Sequence, residues 1–162
     1  FFEKIAKDLN ESSSDTRKII ANYMVDGESK VSAWYNKVLI FWTADNSNNS
    51  TQVYSLKSDT NGKKFTDKQV FSNHYFDSSN VESAINNKEL FVIWQDNNSG
   101  NQEILLARSR DAGSTFDDIM DISNNDGTSE CPSIAISKNK LHIVWEDDTL
   151  GNHEVFYKAL TI

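Results

Sequence analysis

Two loops of this chain carry oxygen-bearing side chains at close, alternating spacing. One reads Asp96-Asn97-Asn98-Ser99-Gly100-Asn101-Gln102-Glu103, the other Asp147-Asp148-Thr149-Leu150-Gly151-Asn152-His153-Glu154. Hard cations such as calcium take about six to eight oxygen ligands from carboxylates, amides and carbonyls. Asp96, Asn98, Glu103, Asp147 and Glu154 are therefore the candidate metal ligands, and calcium is the one cofactor the sequence admits. The loops lack the full arrangement of an EF-hand. The competing reading is an Asx-type turn between two strands, with Asn and Gly placed for positive φ. Asp45-Asn46-Ser47-Asn48 is a weaker relative.

Catalytic chemistry has thinner support. Two-carboxylate glycoside hydrolysis needs an acid and a partner base or nucleophile flanking one bond. The 24 acidic residues supply raw material, but no spacing selects a pair. His74, His142 and His153 do not make a metal-ligand pattern. His142 alternates with the apolar positions of a strand and is expected to pack between repeat units. The single cysteine, Cys131, has no internal disulfide partner and is expected to be a small half-buried residue. No glycine-rich phosphate loop is present.

The elements that position these residues come in triplicate. Val38-Leu39-Ile40-Phe41-Trp42, Leu90-Phe91-Val92-Ile93-Trp94 and Leu141-His142-Ile143-Val144-Trp145 place their tryptophans 52 and then 51 residues apart. Asn36-Lys37, Asn87-Lys88 and Asn139-Lys140 precede the runs, and a second apolar alternation follows each. Self-similarity at this period means an array in which no unit buries its core alone. Five-residue runs rich in Val, Ile and Phe suit strands buried on both faces. A short strand before each Asn-Lys turn makes a hairpin. A third strand follows the polar loop. A fourth is expected over Phe65 to Phe71 and Phe116 to Ile122. Phe1 to Leu9 reads as an outer strand, and residues 10–26 as loop. The three Trp that end the runs are expected in the core. Trp34 breaks the repeat and is the candidate for an exposed aromatic ligand contact.

Between the third and fourth strands lies Ser109-Arg110-Asp111-Ala112-Gly113-Ser114-Thr115-Phe116, with Ser58-Asp59-Thr60-Asn61-Gly62-Lys63-Lys64-Phe65 found 51 residues earlier. These resemble the Asp-box, Ser-x-Asp-x-Gly-x-Thr-Phe, of sialidase-like (bacterial neuraminidase repeat) β-propellers. The earlier copy departs from the pattern at Thr60. A third would begin at Leu160, two residues before the last one given. The resemblance implies a structural turn at Ser58, Gly62, Phe65, Ser109, Asp111, Gly113 and Phe116, on the periphery and away from any active site. It also implies that a sialidase would bring three arginines, a Tyr-Glu pair and an acid/base Asp together. Only Arg17, Arg108 and Arg110 exist, and two of them lie on an outer strand and inside the box. An Arg-Ile-Pro signature is missing; the only proline is Pro132.

The expected fold is therefore all-β: a β-propeller segment, 1–162, of three four-stranded blades with ~51-residue repeats, near 1–57, 58–108 and 109–162. The net charge of -8 argues against nucleic acid as a partner. No apolar run is long enough for a transmembrane helix. Sequons at Asn10, Asn48, Asn49 and Asn97, and a start at Phe1 rather than Met, suit an extracellular or cell-surface protein or a piece of a longer one. The leading expectation is a non-catalytic recognition or scaffold module for protein or glycan, possessing no cofactor unless the loops hold calcium. The alternatives are a fragment or subunit of a sialidase-like glycoside hydrolase whose catalytic residues lie elsewhere, and a purely structural, self-associating subunit. Further blades, from the same longer chain or another copy, are the expected neighbours.

Overall fold

A computed structural model describes residue 19 and residues 25–46, 50–72 and 77–162 of the chain. The strands expected at Phe1 to Leu9, the loop before residue 25, Arg17, His74 and the sequons at Asn10, Asn48 and Asn49 lie outside the described residues.

Hairpin follows hairpin, and every strand pairing is antiparallel. The first sheet has the order β1 (Val25–Trp34), β2 (Lys37–Asp45), β3 (Thr51–Ser58), β4 (Gln69–Val70). The second runs β5 (Ser78–Asn86), β6 (Glu89–Asp96), β7 (Glu103–Ser109), β8 (Met120–Asp121). The third holds β9 (Ser129–Ser137), β10 (Lys140–Asp147) and β11 (Glu154–Thr161), with β10 central. It has three strands among the described residues, where four were expected. The cuts at 57 and 108 fall inside the first two sheets, because the short fourth strand pairs with the third.

One packing rule joins the sheets. The Trp-bearing row of each sheet lies on the opposite row of the sheet before it. Leu90, Val92 and Trp94 cluster with Leu39, Phe41 and Val53. Leu141, Ile143 and Trp145 cluster with Phe91, Ile93, Ile104 and Leu106. β6 is thus covered on both faces and buried from Leu90 through Asp96. β10 instead alternates buried and exposed positions, because only its Trp face is covered. His142 lies on the other face, against Tyr157, and not between sheets as expected.

Two local expectations also shift. The hairpin turns centre on Tyr35-Asn36, Asn87-Lys88 and Lys138-Asn139, not uniformly on Asn-Lys. Tyr35, Asn87 and Lys138 each adopt positive φ, so in two units a residue other than Asn takes the left-handed position. The fourth strands shrink to two residues because hydroxyls satisfy the outer edge of the third strand. Thr66 Oγ1 accepts from Lys57 N, Ser72 Oγ from Val53 N, and Ser123 Oγ from Ile104 N.

Candidate functional site

The first strands of the three sheets, β1, β5 and β9, lie side by side at one edge of the stack. Ser32 and Ser83 meet there at 2.9 Å, and Lys30 pairs with Glu82 at 2.8 Å. Each first strand carries a break in register against its neighbour. In β5 and β9 the break holds a residue in the left-handed region: Asn80 at φ 50° and Cys131 at φ 52°. An extra residue at such a bulge re-aims side chains, and bulges concentrate beside binding and active sites. Backbone in this region costs about 1–3 kcal/mol for residues other than glycine, which the surrounding contacts must offset.

Gln95 supplies those contacts. It follows Trp94 on buried β6, and its Oε1 accepts from Asn80 Nδ2 at 2.8 Å and from Cys131 N at 3.2 Å. Its Nε2 lies 3.5 Å from Glu130 Oε1. One buried amide thereby fixes both bulges. Between them opens a recess of about 220 Å³ lined by Asn80, Val81, Glu82, Cys131 and Pro132. Burial, then Glu146 and Glu130, push the Cys131 thiol above its ordinary pKa. It is therefore held as a neutral thiol and is a poor nucleophile. Cys131 is exposed, a departure from the half-buried position expected of it. The recess offers two carboxylates, amide donors and acceptors, and one lysine. That set suits hydrogen bonding to hydroxyls.

The predicted site residues fall elsewhere. Asp96 Oδ2 accepts from the indole of Trp94 and from Ser78 Oγ, and its Oδ1 from Asn98 N. Asp147 repeats the pattern with Trp145, Ser129 and Thr149 N, adding Asn125 Nδ2. Burial opposes ionisation of Asp147, but Thr149, Trp145 and Ser129 outweigh it and hold the carboxyl well below the usual range. Glu103 receives Ser123 Oγ, Asn101 Nδ2 and Asn125 N, and Glu154 is exposed. The loop carboxylates thus tie loop to strand. Among the described residues no three His, Cys, Asp or Glu side chains group to hold a metal. In the first sheet Ala44 replaces this aspartate, and the buried Trp42 Nε1 has no hydrogen-bond partner.

The boxes are turns. Ser109 Oγ accepts from Gly113 N at 2.8 Å and donates to Asp111 Oδ1 at 2.8 Å. Asp111 also accepts from Thr115 N, Ser114 N and Thr115 Oγ1. The Thr115 N–H leads in holding its carboxyl below the usual range; slight burial opposes, and the Thr115 and Ser109 hydroxyls add to the lowering. In the other box Thr60 Oγ1 accepts from Lys64 N, and Ser58 Oγ from Gly62 N. This box replaces the carboxylate with a hydroxyl and retains the turn. The second-sheet box also touches its neighbour: Lys37 Nζ and Lys57 Nζ reach Ser114 Oγ, at 2.9 and 3.0 Å. A larger groove of about 550 Å³ follows this seam, from Leu39, Leu56 and Val70 to Gly113 and Phe116.

Trp34 is half-buried, edge-on to Tyr35 at 4.5 Å, and the freely exposed ring is Tyr35. Arg108 pairs with Glu89 over Phe91, and Arg110 with Asp117, so these two arginines do not converge. Asn97 Oδ1 accepts from Asp77 N. Lys30, Asn80, Glu82, Gln95 and Glu130 were not among the predicted site residues. One signal pointed toward them: the residue after each core tryptophan is polar (Thr43, Gln95, Glu146) inside an otherwise apolar strand.

No family model matches this chain, and no curated protein does. Solved structures do. A GH93 alpha-L-arabinofuranosidase of Fusarium graminearum bound to arabinobiose aligns with TM-score 0.57 at 13% identity, over 88% of this chain and 48% of that one. A variant of the same kind of enzyme from Fusarium graminearum, bound to an iminosugar inhibitor, aligns with TM-score 0.61 at 12% identity, over 88% and 48%. The chain spans about half the length of these structures. They are β-propeller glycoside hydrolases, and at this identity the likeness is one of fold. Among the described residues no helix is long and apolar enough to cross a membrane.

Proposed function

We propose that the three sheets are consecutive blades of a sialidase-like propeller, and that the bulged edge of β5 and β9 recognises an uncharged glycan without cleaving it. The observation that carries this reading is the buried Gln95 side chain, which holds Asn80, Cys131 and Glu130 around one recess. Prepositioned amides and carboxylates bind sugar hydroxyls without first losing rotamer freedom. Glu82, Glu130 and Glu146 outnumber Lys30 at this edge, so carboxylate-bearing sugars are repelled. Glu82 is engaged by Lys30, and the two described arginines are engaged in pairs of their own, which favours binding over hydrolysis. The module works outside the cytoplasm, where Asn97 is available for glycosylation, as part of a larger surface assembly.

Calorimetric titration with arabinobiose and with a sialyl-oligosaccharide tests the reading, alongside an assay for new reducing ends. The expected result is binding of the neutral sugar alone, weakened about tenfold by Asn80→Ala, as loss of a well-placed hydrogen bond predicts. No binding of the neutral sugar, or turnover abolished by Glu82→Gln with binding intact, overturns it; the second outcome establishes a hydrolase.

A further inference from the structure

We propose that the uncovered face of the third sheet is a self-complementary surface on which a second copy of this chain docks across a twofold axis through Val144. Val144, Val155 and Tyr157 are 38%, 77% and 61% exposed, whereas Ile93, Ile104 and Leu106, at the same places in the second sheet, are each at 0%. The corresponding row in the existing stack is always covered by an apolar row ending in Trp. The third sheet departs from that row at two positions. His142 stands where Leu39 and Phe91 stand, and Glu146 where Thr43 and Gln95 stand. Another Leu-Val-Trp row brings no donor for Glu146, and burying an unpaired carboxylate is strongly unfavourable.

A second copy supplies the donor. A twofold axis in the interface, across the strands and through Val144, exchanges the residue two before with the residue two after. His142 of one copy then faces Glu146 of the other, and the pair occurs twice. The registered neighbours obey the same exchange. Ala159, opposite His142 on β11, faces Val155, opposite Glu146: small against large. Tyr157, opposite Val144, meets its own copy near the axis. The Tyr157 hydroxyl lies 2.8 Å from His142 Nδ1. With that hydroxyl donating, the imidazole carries its proton on Nε2, the atom left to donate across the interface.

Sedimentation equilibrium on the whole chain tests the arrangement. The wild type is expected to dimerise at micromolar concentration. His142→Glu and Glu146→His each raise the dimer dissociation constant at least about tenfold, by placing like groups opposite one another. The double swap of the two returns it to within about threefold, the signature of direct coupling. Val155→Arg, at a highly exposed position, weakens association without reliance on the His–Glu pair. A wild type that stays monomeric to about 100 µM overturns the proposal, as does a double swap that restores nothing. So does a face protected from hydrogen exchange in the monomer, which assigns the surface to another part of the same polypeptide.

Discussion

At the scale of single residues, the two boxes separate backbone from packing. Gly62 and Gly113 have nearly the same positive φ, 77° and 79°. A Cβ on Gly62 meets nothing within 4 Å, whereas one on Gly113 meets Leu39 Cδ2 at 2.1 Å. Gly62→Ala is therefore expected to cost only the left-handed backbone term, about 1–2 kcal/mol. Gly113→Ala adds about 1–3 kcal/mol for displacing buried Leu39. Urea unfolding of the two variants checks the difference, and equal losses would refute the close seam between box and first sheet. Asp147 offers a titration test. Its folded pKa is depressed below the unfolded value of about 3.9. Its stabilisation is thus fully present above that value and lost as pH falls further, toward the folded pKa. Asp147→Asn should lower the melting temperature at neutral pH and flatten the decline in stability below about pH 4. Melting curves between those limits decide it; an unchanged acid limb would show that the carboxylate carries no such role.

At the scale of elements, the repeat made the three central strands legible, because five-residue apolar runs ending in Trp need burial wherever they sit. The turn chemistry was legible as well: glycines at the αL positions of both boxes and an oxygen-bearing residue two places before each. What the sequence did not reveal was side-chain substitution for backbone pairing. Phe65 to Phe71 alternates well enough to suggest a full strand, but Thr66 and Ser72 hydroxyls take the N–H groups of β3 before a ladder extends. The bulges were hidden for another reason. Asn80 and Cys131 share a conformation and a position but no chemistry, so no pattern links them until Gln95 is placed between them. Ser72 gives the element-scale prediction. Its buried hydroxyl accepts from Val53 N and donates to Gln52 Oε1. Ser72→Ala should cost about 1–3 kcal/mol, the penalty of an unmade buried hydrogen bond. A loss under about 0.5 kcal/mol in equilibrium unfolding would mean that the outer edge of β3 is not held by hydroxyls.

At the scale of the molecule, stability should follow the stack. Each sheet touches only the sheets beside it, so the chain behaves as coupled neighbours, with a term for each unit and one for each seam. Trp94 is the large residue of the first seam and Trp145 of the second. Each also donates its indole N–H to the aspartate two residues on, so truncation opens a cavity and strips a buried carboxylate of a donor. Either substitution to Ala is expected to cost about 3–5 kcal/mol. Where the loss appears should differ. Trp94→Ala removes a contact of the central sheet, whose β6 is covered on both sides, and should destabilise all three sheets together. Trp145→Ala weakens the one seam that holds the third sheet, whose other face is open. Amides of β9, β10 and β11 should then exchange faster while those of β2 and β6 keep their protection. Hydrogen exchange read by mass spectrometry resolves the two patterns. Uniform acceleration across all strands in Trp145→Ala would show a single cooperative unit, and the nearest-neighbour account of this fold would have to be abandoned.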